Sequence, residues 1–215
     1  MNCFGYGASN CTPWLCLEEI ALGLAFSPST FASWHGACYS FFHMNDAKCP
    51  TMVIFMGVAG TGKSTVGALF AKKTGAVFYE GDDFHSPGNV AKMRAGIPLT
   101  DADRAPWLST LRKVIIRALA TEIFSVLTCS ALKASYRDTL AAGDLRVGFV
   151  HLTGPPALIA ERLKNRPAHF LSPTLLENQL TILEPPANAL VFSCEQTPEA
   201  IVGQLLQHWG LANPD

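Results

Sequence analysis

The sequence has no surplus of charge: 16 Lys and Arg against 17 Asp and Glu leave a formal net charge of −1. That balance offers no basic footprint for DNA, RNA or an anionic membrane surface, so neither partner is expected. No apolar run reaches the roughly 20 residues that span a bilayer. Hydrophobic residues nevertheless make up 49% of the chain and can fill a sizeable core. There is no CxxC pair and no His/Cys spacing of the zinc type, which speaks against a zinc module despite seven cysteines. Internal repeats and low-complexity tracts are missing as well. At 215 residues the chain is long for one compact domain and too short for two full ones.

Five of the cysteines (Cys3, Cys11, Cys16, Cys38, Cys49) precede the first clear strand, and only Cys129 and Cys194 follow it. A disulfide framework there would need a secreted protein; the rest reads as a cytoplasmic enzyme with ordinary thiols. Residues 1–43 carry two charged residues, Glu18 and Glu19, and no Lys or Arg. They lack the basic start of a secretory signal and the arginines of a mitochondrial transit peptide. Met44 leads through a short polar stretch straight into a strand. The expectation is an atypical segment over 1–43, disordered or a start-site artefact with translation beginning at Met44, and one domain over 44–215. The competing reading is a lineage-specific or plastid-type extension.

From Thr51 onward, strands and helices alternate. Met52–Met56 is a continuous apolar run of the kind a buried parallel strand requires. A helix is predicted over Lys63–Thr74, stopped by Gly75, then a strand over Ala76–Tyr79 and a short helix over Asn89–Ala95. Asp103 is predicted to cap a longer helix with Pro106 in its first turn, ending near Thr121. Further strands are expected over Ile123–Cys129, Val147–Leu152 and Leu190–Ser193. Further helices are expected over Lys133–Ala142, from Pro155/Pro156 to Lys164, over Pro173–Leu183 and over Pro198–Leu211. This alternation predicts an α/β fold, a five-stranded parallel sheet with helices on both faces in three layers.

The phrase Gly57-Val58-Ala59-Gly60-Thr61-Gly62-Lys63-Ser64 fits G-x-x-x-x-G-K-[ST] between a strand and a helix, the context that a P-loop requires. Its glycines let successive N–H groups point into one concavity, and the helix adds its positive N-terminal end. Lys63 then reaches the β/γ-phosphates of ATP and the Ser64 hydroxyl ligates Mg²⁺. The strand ending Thr128-Cys129-Ser130 lacks the acidic residue that many P-loop ATPases place there. Acids come instead from the end of the preceding strand: Glu80, Asp82 and Asp83. A carboxylate there is placed to accept a hydroxyl proton or to order a water on Mg²⁺. That points to a P-loop kinase domain acting on a small metabolite.

Between the second and third strands lies the densest polar segment of the chain. Strand ends are where open α/β sheets bind ligands. Asp82, His85, Asn89, Lys92 and Arg104 offer donors, acceptors and cations suited to a polyhydroxy acid. Several residues have plainer readings: Trp107 as a packing anchor, Asp101 and Asp103 as helix caps, Cys129 as a small buried residue, and Arg104 as a tether for Asp101 or Asp83.

The ordered phrases GDDFHSPGNVAKM, GIPLTDADRAPWL and CSALKASYRD resemble the gluconokinase family, as do ERLKNRPAHF, ENQL and LEPP further on. The resemblance covers Met52 to the C-terminus. It implies a P-loop NTPase fold of the adenylate-kinase type with a small lid, a homodimer, and ATP-dependent phosphorylation of the 6-hydroxyl of D-gluconate. The product, 6-phosphogluconate, feeds the pentose phosphate pathway. Carried over, Gly57–Thr65 hold ATP, Asp82 is the base and Glu80 assists Mg²⁺ through water. Lys133 and Arg137 bind carboxylate or transferring phosphoryl, and Arg162 and Arg166 flank the lid. Two departures stand out: Pro167 before Ala168-His169-Phe170, which would stiffen the lid, and the loss of acidic residues after Glu184-Pro185. A shikimate-type kinase and a catalytically dead nucleotide-binding relative are the alternatives.

Overall fold

The computed structural model describes residues 49–165 and 173–212. The expectations for 1–43, for Arg166 and for the Pro167 lid segment lie outside them. Strand β1 (Met52–Met56) is buried at every position, as its unbroken apolar run requires. It occupies the middle of a five-stranded parallel sheet, β2-β3-β1-β4-β5, with β2 at Val77–Glu80, β3 at Ser125–Thr128, β4 at Val147–Thr153 and β5 at Leu190–Ser193. The chain is an α/β fold with the sheet between helical layers. One face, carrying Ile54, Met56 and Leu127, packs on helix α3 (Asp101–Thr121) and helix α4 (Ala134–Ala141). The other, carrying Val53, Phe55 and Val150, packs on α1 (Lys63–Thr74) and α7 (Pro198–Trp209). Each fully buried large side chain contributes about 1.5–3 kcal/mol, so β1 alone anchors both cores.

Helix α1 has the predicted bounds, and Gly75 closes it in the left-handed conformation at φ 71°. Several boundaries move. The short helix, α2 (Pro87–Arg94), begins at Pro87 rather than Asn89, because the Ser86 hydroxyl caps it by accepting from the N–H of Asn89 at 3.2 Å. Helix α3 begins at Asp101, and its cap is Thr100 rather than Asp103. Thr100 Oγ1 accepts from the N–H of Asp103, whose carboxylate accepts from the N–H of Thr100 in return. Pro106 therefore falls in the second turn. Strand β3 starts two residues late because Glu122 turns left-handed at φ 53° to end α3. Ala142, at φ 47°, ends α4 one residue before Gly143. The remaining helices are α5 (Pro156–Lys164) and α6 (Pro173–Ile182). Among the described residues, no helix is long and apolar enough to cross a membrane.

Candidate active site

The parallel sheet brings the ends of β1, β2 and β3 to one edge, and the site lies there. Gly57 follows β1 directly and its N–H donates to the carbonyl of Ser130 at 3.2 Å, tying the loop to the end of β3. Val58 turns its carbonyl inward, where it accepts from Thr61 Oγ1 at 2.9 Å and from Lys63 Nζ at 3.0 Å. Gly62, at φ 92°, admits the left-handed turn that starts α1. No side chain caps that helix and no acid lies in its first turn. The positive end of its dipole suits an anion, the chemistry a nucleotide phosphate needs.

Strand β2 delivers the acids. Glu80 is the register partner of Thr128 and accepts a hydrogen bond from its hydroxyl. A single 3₁₀ turn at Gly81–Phe84 then carries Asp82 into the cleft. Gly81 allows this close approach: a Cβ there would stand 2.0 Å from the carbonyl oxygen of Thr128. Lys63, Ser64, Glu80, Asp82, His85 and Arg104 line one cleft.

Trp107 on α3 holds the 3₁₀ turn in place. Its indole N–H donates to the carbonyl of Gly81 at 2.7 Å, and the His85 ring stacks on it at 4.3 Å and 11°. Burial lowers the pKa of His85 below 6.5; Asp82 raises it and Arg104 lowers it, and burial wins. The imidazole is therefore neutral at pH 7, and its Nδ1 is buried without a hydrogen-bond partner. Arg104 is buried with its Nη1 donating to the carbonyl of Leu99 at 2.5 Å, so it tethers neither Asp101 nor Asp83.

Other expected site residues stand differently. Asn89 is buried and its side-chain amide donates to the carbonyl of Asp103 at 2.8 Å. Lys92 pairs with Asp103 at 2.6 Å; this amine and two bonds from Thr100 hold Asp103 down to about 2. Lys133 pairs with Asp101 at 2.7 Å, and Tyr136 also donates to that carboxylate. Arg137 donates to the carbonyls of Ala131 and Leu132 at 3.0 and 3.2 Å. None of these four side chains lines the cleft. Arg162 and Thr65 line a second cleft with Gly60 and Gly62 of the loop, beside Gln196 and Pro198.

Sequence reading missed one wall of this cleft. Leu175, Asn178 and Gln179 of α6 line the same cleft, and Gln179 Oε1 accepts from the N–H of Ala59 at 2.7 Å. Asn178 and Gln179 follow Leu175 by three and four residues, which places them on one helix face.

Comparison with known proteins agrees with this geometry. Residues 59–203 match the family model for shikimate kinase. A gluconokinase of Gluconobacter oxydans is 42% identical over 163 residues, covering 74% of this chain and 92% of that protein. The chain belongs to the gluconokinase family. A crystal structure of a gluconokinase from Sinorhizobium meliloti 1021 superposes with a TM-score of 0.67 at 40% identity, over 76% of this chain and 93% of that one. A shikimate kinase from Bacteroides thetaiotaomicron shares the fold, with a TM-score of 0.57, at 19% identity over 74% of this chain and 98% of that one. The family resemblance and the P-loop kinase fold expected from the sequence are thus both established, and the chain is a phosphotransferase acting on an alcohol group.

Proposed function

We propose that this enzyme transfers the γ-phosphoryl group of ATP to the 6-hydroxyl of D-gluconate, giving 6-phosphogluconate and ADP. The observation that carries the reading is the single cleft joining Lys63 and Ser64 of the phosphate cradle to Asp82, His85 and Arg104. Asp82 takes the hydroxyl proton as the acceptor oxygen bonds to phosphorus and the bond to the β-phosphate oxygen breaks. Lys63 and the N–H groups at the start of α1 offset the negative charge on the phosphoryl oxygens. Ser64 and, through water, Glu80 would hold Mg²⁺, which supplies further charge neutralisation on the phosphates.

His85 and Arg104 face the acceptor, the arginine offering a cation to a carboxylate. Asn89 and Lys92 serve this wall through Asp103. Lys133 and Arg137 reach the acceptor only by exchanging their present partners. Thr65 and Arg162 take the nucleotide side. The homodimer and the cytoplasmic setting follow from the family resemblance. A coupled assay of ADP release with gluconate and shikimate side by side tests the reading. Turnover with gluconate is expected; turnover with shikimate alone would overturn it.

A further inference from the structure

A backbone N–H can only donate, so the 2.7 Å bond from the N–H of Ala59 identifies the pole of Gln179 that meets it as Oε1. The planar carboxamide then turns Nε2, with its two N–H donors, away from that contact. Among the described residues nothing accepts from Nε2, and it is not one of the buried atoms left without a partner. It therefore opens into the cleft that Gln179 lines together with Lys63, Asp82 and Arg104.

Helix α6 holds this donor in place before any ligand arrives. Leu176 packs with Val58, Ile159 and Leu163. Just beyond the helix, Glu184 Oε2 accepts from the N–H of Ala134 at 2.6 Å, and its own N–H donates to the carbonyl of Leu132 at 2.8 Å. A group fixed in this way loses little freedom on binding, which is what a selective contact requires.

The charged donors of the cleft, Lys63 and Arg104, suit phosphoryl and carboxylate oxygens. A neutral carboxamide whose free pole only donates suits a hydroxyl oxygen instead. Met93, Leu99 and Leu175 line the same cleft and suit the C–H faces of a carbon chain. We propose that Gln179 is a specificity-determining residue whose Nε2 donates to a hydroxyl oxygen of the polyhydroxy acid, its orientation set by the N–H of Ala59. This deepens the gluconate reading and rests on it.

Steady-state kinetics of the full chain with two variants test the proposal. Gln179→Glu keeps an oxygen for the N–H of Ala59 but exchanges the free donor for an anionic acceptor. Gln179→Met keeps the length and loses both poles. KM for gluconate is expected to rise ~3–10-fold in Gln179→Met, the worth of one net hydrogen bond. It should rise at least ~10-fold in Gln179→Glu, as an anion against a sugar acid. A glutamine that serves only to fasten α6 gives the opposite order, with Gln179→Met impaired and Gln179→Glu near wild type, and that order overturns the proposal. A larger rise in KM for ATP than for gluconate in Gln179→Met assigns the donor to phosphoryl oxygens and overturns it too. If neither variant folds, a crystal structure of the wild-type chain with gluconate decides. A hydroxyl oxygen within ~3.2 Å of Nε2 supports the contact, and none within that reach overturns it. A wild-type chain that does not turn over gluconate overturns the substrate reading and this proposal together, whereas gluconate turnover without the expected rises overturns this proposal alone.

Discussion

Glu80, the last residue of β2, accepts the hydroxyl hydrogen of Thr128, its register partner at the end of β3. The neutral end of β3 thereby gains a carboxylate from the neighbouring strand. Thr128 is fully buried, so its hydroxyl has no solvent alternative. Thr128→Val keeps the shape and removes the donor, leaving Glu80 unoriented. Turnover is expected to fall about 10-fold, the usual scale for loss of a supporting hydrogen bond near a metal. The Mg²⁺ concentration for half-maximal rate should rise, measured by titrating Mg²⁺ at saturating ATP.

Asp82 lines the cleft beside Lys63 and Ser64 and is the base of the proposed reaction. Asp82→Asn should leave ADP affinity nearly unchanged while lowering kcat by about 100-fold or more, the scale of general base catalysis. Calorimetry and steady-state kinetics on the same preparation separate the two effects. Near-normal turnover would remove Asp82 from the mechanism.

Trp107 both donates to Gly81 and supports the His85 ring. Trp107→Phe retains an aromatic platform but abandons a buried carbonyl. A stability loss of about 1–3 kcal/mol is expected from urea denaturation. Because the 3₁₀ turn carries Asp82 and leads into His85, KM for the acceptor should rise while KM for ATP stays near its wild-type value.

His151 on β4 is buried, its Nε2 has no hydrogen-bond partner, and burial followed by the nearby Arg137 charge lowers its pKa below 6.5. The folded state thus binds this proton less readily than the unfolded chain. Its contribution is intact above pH 6.5 and is lost as pH falls from there through the lowered folded value. Burial lowers the pKa of His85 in the same sense. His151→Phe should flatten, without abolishing, the decline in stability between pH 7.5 and pH 5.5, measured by urea denaturation at both. An unchanged slope would show that His151 does not titrate in that window.

What the sequence made legible follows from how local each signal is. Helix α1 and strand β1 were readable to the residue, because a continuous apolar run, a P-loop and a C-terminal Gly75 are contiguous features. The start of α3 was misread because its box pairs Thr100 with an aspartate at the third helical position, a weaker signal than the common glutamate. Ile123 looked like strand by its apolar side chain, yet it is 49% exposed and follows the left-handed Glu122.

The acids at the end of β2 and the cradle were identifiable because each is one short phrase. The α6 wall was not: no local pattern announces that Gln179 meets Ala59. Likewise, polarity alone did not distinguish Arg104, which lines the cleft, from Asn89 and Lys92, which bond to Asp103.

The His85–Trp107 stack has a practical corollary. Indole emission depends on what lies against the ring, so the emission of Trp107 is expected to respond to the seating of His85. A sugar acid drawing His85 off that face would register as a change in colour and intensity without any attached dye. The stacked pair would thus serve as an optical gauge of occupancy in the proposed acceptor site.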